Sequence, residues 1–195
     1  MRLFKKNYKT YSDEDLMSLF IKGDWEAFKQ IYERYGTFLV NYFNSKLWQD
    51  REKSEDFTQE LFRKIIDRPA MFDVTKKFKT WLFTIASNMC KNEYKRVEIR
   101  KNHRNDLPIG FEAKDCNELQ DKTIDKKLFS KSLQFELNKL NDKHKDVFVL
   151  RHFDGLSLKE IAEVLEINEG TVKSRLHHAT KSLASKLELY RKIIA

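Results

Sequence analysis

Residues 157–183 read SLKEIAEVLEINEGTVKSRLHHATKSL, and the stretch divides into two helices joined by a tight turn. Ser157 followed three residues later by Glu160 is the pattern of a capping box, which starts the first helix. Ile161, Ala162 and Leu165 then fall on one face, and Ala162 is small enough to let a second helix pass close. Glu166 and Ile167 supply the turn, and Asn168 caps the next helix by accepting a bond from a free backbone N–H. In that helix Val172, Leu176, Ala179 and Leu183 recur at spacings of three and four, so one stripe faces inward. The outward face carries Lys173, Ser174, Arg175, His177, His178 and Lys181, with no carboxylate among them. Cations that meet phosphates and polar side chains that reach base edges suit a helix entering a DNA major groove. An ordinary helical hairpin with a solvated basic face shares the pattern.

Working outward, the 195 residues suffice for one or two small domains with their own cores. Gly and Pro number only 5 and 2, which favours long helices over a turn-rich β architecture. The net charge of +8 points to a polyanionic partner without choosing between DNA, RNA and a membrane surface. Two cysteines, Cys90 in an apolar helical pattern and Cys116 in a polar stretch, argue against a disulfide framework and fit a reducing cytoplasm. No apolar run has the length to span a bilayer, and the N-terminal MRLFKKNYKTYSDED lacks an apolar signal core. The expectation is an all-α protein, cytoplasmic, without membrane insertion. It is read as two small helical domains, 11–104 and 125–195, joined by a flexible linker over 105–124.

The first of these domains opens with Ser12 and Asp15, read as another capping box, on a helix through Leu16, Leu19 and Phe20 that Gly23 ends. Asp24 restarts the chain. Phe28, Ile31, Tyr32, Tyr35, Phe38, Leu39, Tyr42 and Phe43 keep helical spacing over a long element. Ser54 is read as the cap of a third helix, with Phe57, Leu61, Phe62 and Ile65 inward and Asp56, Gln59, Glu60 and Arg63 outward; Arg68-Pro69 stops it. In the stretch FKTWLFTIASNMCKNEYKRVEIRK that follows, Trp81, Leu82, Ile85, Ala86 and Met89 are expected to be buried. Aromatics interleaved with cations also suit a single-stranded nucleic-acid site, where bases stack on rings and cations track phosphates. The linker carries Pro108, Gly110 and the acids Asp106, Glu112, Asp115, Glu118 and Asp121. Beyond it, Phe129, Leu133, Leu137 and Leu140 resume a helical pattern, and Asn141 caps a helix holding Val147, Phe148, Leu150 and Phe153.

In this order the segments resemble a bacterial RNA polymerase sigma factor of the sigma-70 family, extracytoplasmic-function (ECF) type. DWEAFKQIYERY (Asp24 to Tyr35), EDFTQELFRKI (Glu55 to Ile65), FKTWLFTIASNMCKNEYKR (Phe78 to Arg96) and the stretch from Asp142 through Leu183 carry the likeness. The resemblance implies that 11–104 is a region 2-like domain and 125–195 a region 4-like helix-turn-helix domain. It further implies a factor that binds core RNA polymerase and directs promoter-specific initiation, recognising the −35 element as duplex and the −10 element as melted strand. Asp56, Gln59, Glu60 and Phe62 would dock on the polymerase. Asn88, Lys91 and Asn92 would line a −10 pocket shaped by the loop 69–76, with Lys77, Lys79, Lys95 and Arg96 on phosphates. Lys173, Ser174, His177 and His178 would face the −35 element, with Thr171 and Arg175 near phosphates and Lys181 on the backbone. The family often has arginine where Lys173 and His178 stand, and neither replacement can make the bidentate fork that reads guanine. An anti-sigma factor is a further implied partner, and the acidic linker either threads a basic channel or is a solvated tether.

Other classes remain in view. His177 and His178 are adjacent, so on a helix they diverge by about 100° rather than converging on a metal. His103, His144 and His152 have no metal-site spacing, and neither a phosphate-binding glycine loop nor a nucleophile motif occurs. No enzyme activity, metal or cofactor is expected, nor a stable homo-oligomer. A free-standing helix-turn-helix regulator with a helical sensor or protein-interaction domain is the alternative; it would bind duplex DNA without polymerase. An adaptor that binds proteins through its N-terminal helices is a third class.

Overall fold

The computed structural model describes residues 7–103 and 132–194. The chain divides into two compact units, Met1–Ala113 and Lys114–Ala195. All regular structure among the described residues is helical, so the all-α expectation holds. The linker, Arg104, Cys116 and Phe129 lie outside the described residues.

The N-terminal unit is built from α1 (Asp13–Ile21), α2 (Trp25–Lys46), α3 (Arg51–Asp67) and α4 (Phe78–His103), with 3-10 turns at Tyr8–Thr10 and Pro69–Met71. The Ser12 hydroxyl accepts from the Asp15 N–H at 3.1 Å. The box is not reciprocal, because the shorter Asp15 side chain takes the Ser12 hydroxyl at 2.7 Å. Asp24 caps α2 by accepting from the Ala27 N–H at 3.4 Å, and it also holds the Tyr8 hydroxyl at 3.0 and 2.9 Å. The expected Ser54 cap is corrected: α3 starts a turn earlier, where Asp50 accepts from the Lys53 N–H. Ser54 lies inside the helix, buried, with its hydroxyl donating to the Asp50 carbonyl at 2.5 Å.

The N-terminal core is a set of aromatic and aliphatic side chains at helical spacing: Leu16, Met17, Ile31, Leu39, Phe43, Leu61, Ile65, Phe78, Leu82 and Phe83. Ring contacts tie the helices together, with Tyr42–Phe83 centroids 5.3 Å apart between α2 and α4 and Phe28–Phe62 5.9 Å apart between α2 and α3. Two members of the expected α2 stripe, Tyr32 and Phe38, are instead 47% and 48% exposed. On α4, Trp81 and Ile85 are only half-buried, whereas Phe83 and Cys90 are inside. Tyr35 is buried and donates its hydroxyl to Asp13; burial first, then that bond, pushes its phenol well above the usual range.

The turn between α2 and α3 places two successive non-glycine residues, Trp48 (φ 56) and Gln49 (φ 61), in the left-handed region. A β-carbon there costs about 1–2 kcal/mol. Gln49→Gly removes that cost but loses about 0.5–1 kcal/mol to the entropy of the unfolded chain. The expected result is a net gain of up to about 1.5 kcal/mol, seen as a higher unfolding temperature of the N-terminal unit. A lower temperature would mean that the Gln49 side chain itself holds the turn.

The C-terminal unit comprises α5 over 132–138, α6 (Asp142–His152), α7 (Leu158–Leu165) and α8 (Glu169–Ile194). Its core is Leu137, Val147, Leu150, Leu156, Ile161, Val164, Val172, Ala179 and Leu183. The α7 face is therefore centred on Ile161 and Val164, with Leu165 half-buried. The capping box at α7 is complete, Ser157 accepting from the Glu160 N–H at 3.2 Å and Glu160 from the Ser157 N–H at 2.7 Å. Asn141 caps α6 as expected. Glu166 closes α7 in the left-handed region (φ 59). The Glu136 carboxylate is tied to Lys139 at 3.0 Å and Lys186 at 3.3 Å, and the Lys139 bond leads in holding it below the ordinary carboxylate range.

Candidate partner and nucleic-acid interfaces

Three helical faces carry the residues singled out from the sequence. On α3, Asp56 and Gln59 are exposed and Glu60 is half-exposed, where it pairs with Lys64 one turn on at 2.8 Å. Gln59 and Glu60 follow Asp56 by three and four residues, which sets them beside it on one side of the helix. Phe62 does not join them. It is 3% exposed and packs against Phe28 and Tyr32, so it holds α3 from within rather than offering a surface anchor. The exposed aromatic beside it is Tyr32, with ring centroids 4.7 Å apart.

On α4 most of the buried side chains, among them Phe78, Leu82, Phe83, Ala86, Cys90 and Glu93, gather on one side and fix which face looks outward. The opposite face carries Lys77, Trp81, Thr84, Asn88, Lys91, Asn92 and Lys95, successive members being three or four residues apart along most of its length. Lys79 departs from the expected set: its position points toward the buried side, and it is half-buried. Arg96 sits at the edge, 3.9 Å from the buried Glu93 carboxylate. Trp81 packs its ring near Phe72 (5.1 Å) and Phe78 (5.7 Å), which fixes a half-buried indole at the start of the polar stripe. Phe72 pins the loop before α4 into the core, while Met71 and Val74 remain exposed. Glu14 of α1 accepts from the Phe78 N–H at 3.0 Å and so anchors the first turn of α4. Asp73 closes the loop by accepting from the Thr75 hydroxyl (2.7 Å) and N–H (3.0 Å), bonds that hold its carboxyl below the usual range.

On α8, Ser174, His177, His178 and Lys181 lie centrally on the face opposite Val172, Ala179 and Leu183, with Lys173 at one edge and Thr171 and Arg175 at the other. Asn168 caps the helix by accepting from the Thr171 N–H at 2.7 Å and its hydroxyl at 2.9 Å, so that hydroxyl is engaged before any ligand arrives. Two residues join this face that the sequence reading did not include. His144 of α6 stacks on His178 with ring centroids 5.7 Å apart and planes 20° apart. Glu169 pairs with Lys173 at 3.2 Å across one turn, both side chains largely in solvent. The Glu169–Lys173 spacing is visible in the sequence; the approach of His144 is not, because it depends on how α6 packs against α8.

An exposed pair of this kind contributes only about 0.3–0.5 kcal/mol, so Lys173 is readily drawn to a phosphate or base. Glu169→Gln removes both the competitor and a repulsive charge. The expected outcome is about twofold to fivefold tighter binding to duplex DNA at low salt, fading as salt screens the charges. Unchanged affinity at low salt would mean that Lys173 does not leave Glu169 for DNA.

The described residues thus present a carboxylate-bearing face on α3, a polar and cationic face on α4, and a helix-turn-helix with a basic face on α8. Among the described residues no cluster of His, Cys, Asp and Glu is placed to hold a metal, and no helix is long and apolar enough to cross a membrane. Known proteins sharpen this description. The family model for sigma-70 region 2 matches residues 31–100, and that for sigma-70 region 4 matches residues 130–183. The chain is 30% identical over 172 residues to the ECF RNA polymerase sigma factor SigW of Bacillus subtilis, covering 85% of this chain and 91% of that protein. It is 26% identical over 186 residues to the ECF RNA polymerase sigma-E factor of Haemophilus influenzae, covering 91% and 96%. Among solved structures, the sigma factor RpoE of Bartonella quintana in complex with the anti-sigma factor NepR aligns with a TM-score of 0.68 at 22% identity, over 83% of this chain and 96% of that one. CnrH in complex with the cytosolic domain of CnrY aligns with a TM-score of 0.64 at 22% identity, over 92% and 99%. The chain belongs to the sigma-70 family of RNA polymerase sigma factors, in its extracytoplasmic-function group. Members of this family are transcription initiation factors, not catalysts.

Proposed function

We propose that this sigma factor brings core RNA polymerase to its promoters by reading a −35 element as duplex through α8 and a −10 element as melted strand through α4. The domains would be 11–104 and 125–195, with 105–124 as the tether. The observation that carries this reading is the second polar and cationic face, on α4. A free-standing helix-turn-helix regulator has no use for the α4 stripe of Trp81, Asn88, Lys91, Asn92 and Lys95. Its indole, amides and ammonium groups suit unpaired bases and their phosphates. Lys77 and Arg96 extend the cationic track; Lys79 is set aside from it by position. Asp56, Gln59 and Glu60 offer charge-assisted bonds to arginines of the polymerase.

On α8, Lys173, Ser174, His177 and His178 face base edges, while Thr171, Arg175 and Lys181 meet the backbone. Two solved structures of similar fold are complexes, one with the anti-sigma factor NepR and one with the cytosolic domain of CnrY. That supports an inhibitory protein partner for this chain and action in the cytoplasm. The test is selection of duplexes from a randomised pool by the reconstituted holoenzyme. Two short sequence blocks at a fixed separation support the reading. A single palindrome bound by the chain alone favours the free-standing regulator.

A further inference from the structure

We propose that Trp48 and Tyr94 form a base-stacking platform beside the α4 stripe, extending the contact with the melted strand; this rests on the −10 reading above. Both rings are exposed, at 43% and 37%, and they meet edge to face with centroids 5.7 Å apart. Trp48 is displayed by a backbone that a side chain resists: it and Gln49 both sit in the left-handed region. Such conformations persist only where neighbouring contacts over-determine them, and they cluster at binding sites. Here the neighbours come from two consecutive residues of α4. The Tyr94 hydroxyl donates to the Lys46 carbonyl at 2.7 Å, and the buried Glu93 carboxylate holds Lys53 at 2.8 Å. Lys53 in turn places its ammonium 5.1 Å from the Trp48 ring centroid.

The platform is therefore tied to the helix that carries the DNA stripe, and Tyr94 lies between Lys91 and Lys95 in the sequence of that helix. Lys91 precedes it by one turn, so a strand that leaves the stripe at Lys91 meets the rings next. Rings flanked by ammonium groups are the chemistry of a nucleobase site, one surface stacking while the cations hold phosphate. The exposed Glu98, one turn beyond Tyr94, marks where that strand must turn away.

The test uses holoenzyme reconstituted with core polymerase and two probes, a duplex pool and the same pool carrying a randomised unpaired bubble. Trp48→Gly deletes the ring while relieving the left-handed backbone, so the fold is kept. Tyr94→Leu deletes the second ring, and Tyr94→Phe keeps it while losing the bond to Lys46. The preference for bubble over duplex should fall about tenfold in Trp48→Gly and in Tyr94→Leu. It should survive in Tyr94→Phe and in the Gln49→Gly control. An unaltered preference in Trp48→Gly and Tyr94→Leu overturns the platform while leaving the −10 reading intact. Equal losses on both probes, or a loss of affinity for core polymerase, also overturn it, the latter reassigning the rings to a protein surface. If the unaltered holoenzyme shows no preference for the bubble, the −10 reading fails and the platform falls with it.

Discussion

Reversing charge at Asp56 and Glu60 together, by changing both to lysine, is expected to abolish transcription by the reconstituted holoenzyme. Removing one partner of a desolvated charge pair costs about 2–5 kcal/mol at an interface, and reversal adds repulsion. Affinity for core polymerase should fall by more than about a hundredfold. The fold should hardly notice. Asp56 is exposed, and Glu60 makes a half-exposed contact with Lys64, worth about 0.3–0.5 kcal/mol. Thermal unfolding of the double variant therefore separates loss of docking from loss of structure. Retained affinity for core polymerase would move the docking surface, and the exposed aromatics Trp25 and Tyr32 would be the next place to look.

The second large effect lies in the recognition helix. Lys173 stands in the second turn of α8, where insertion brings side chains near base edges, and Lys181 two turns later on a solvent-facing position. Lys173→Ala is expected to relax base preference at one or two adjacent positions of the upstream element, by about 1–3 kcal/mol. Lys181→Ala should weaken all sequences alike and reduce the salt slope by about one unit. Holoenzyme binding to a randomised upstream element at two salt concentrations distinguishes them. If Lys173→Ala shifts every sequence equally, α8 grips the backbone and base reading belongs to other residues.

The helix-turn-helix was legible because its signals are local. Ser157 and Glu160 close a complete capping box and Asn168 caps α8, each decided by side chains within three residues. Ser12 shows the limit of that logic, since Asp15 lacks the methylene that lets Glu160 reach back. Ser54 misled for a different reason. The left-handed turn at Trp48 and Gln49 lets Asp50 start α3 early, and nothing in the composition of that turn announces it. Periodicity could not orient the start of α4, because TWLFTIA is apolar on several sides. The packing of Phe83 against Tyr42 decides which side is buried and leaves Trp81 half-exposed. Burial of Phe62 behind Tyr32 is likewise tertiary, and it transfers the exposed aromatic role to a residue the spacing had placed inside. His144 reaches the recognition face only through the packing of α6, a contact with no trace in the sequence.

Promoter selection by this chain is tested by run-off transcription with purified core polymerase on fragments of the source genome, with and without the chain. Initiation is expected at discrete sites only when the chain is present, each preceded by the same two sequence blocks at a fixed spacing. Unchanged transcription, together with tight binding of the isolated chain to a duplex site, would contradict it.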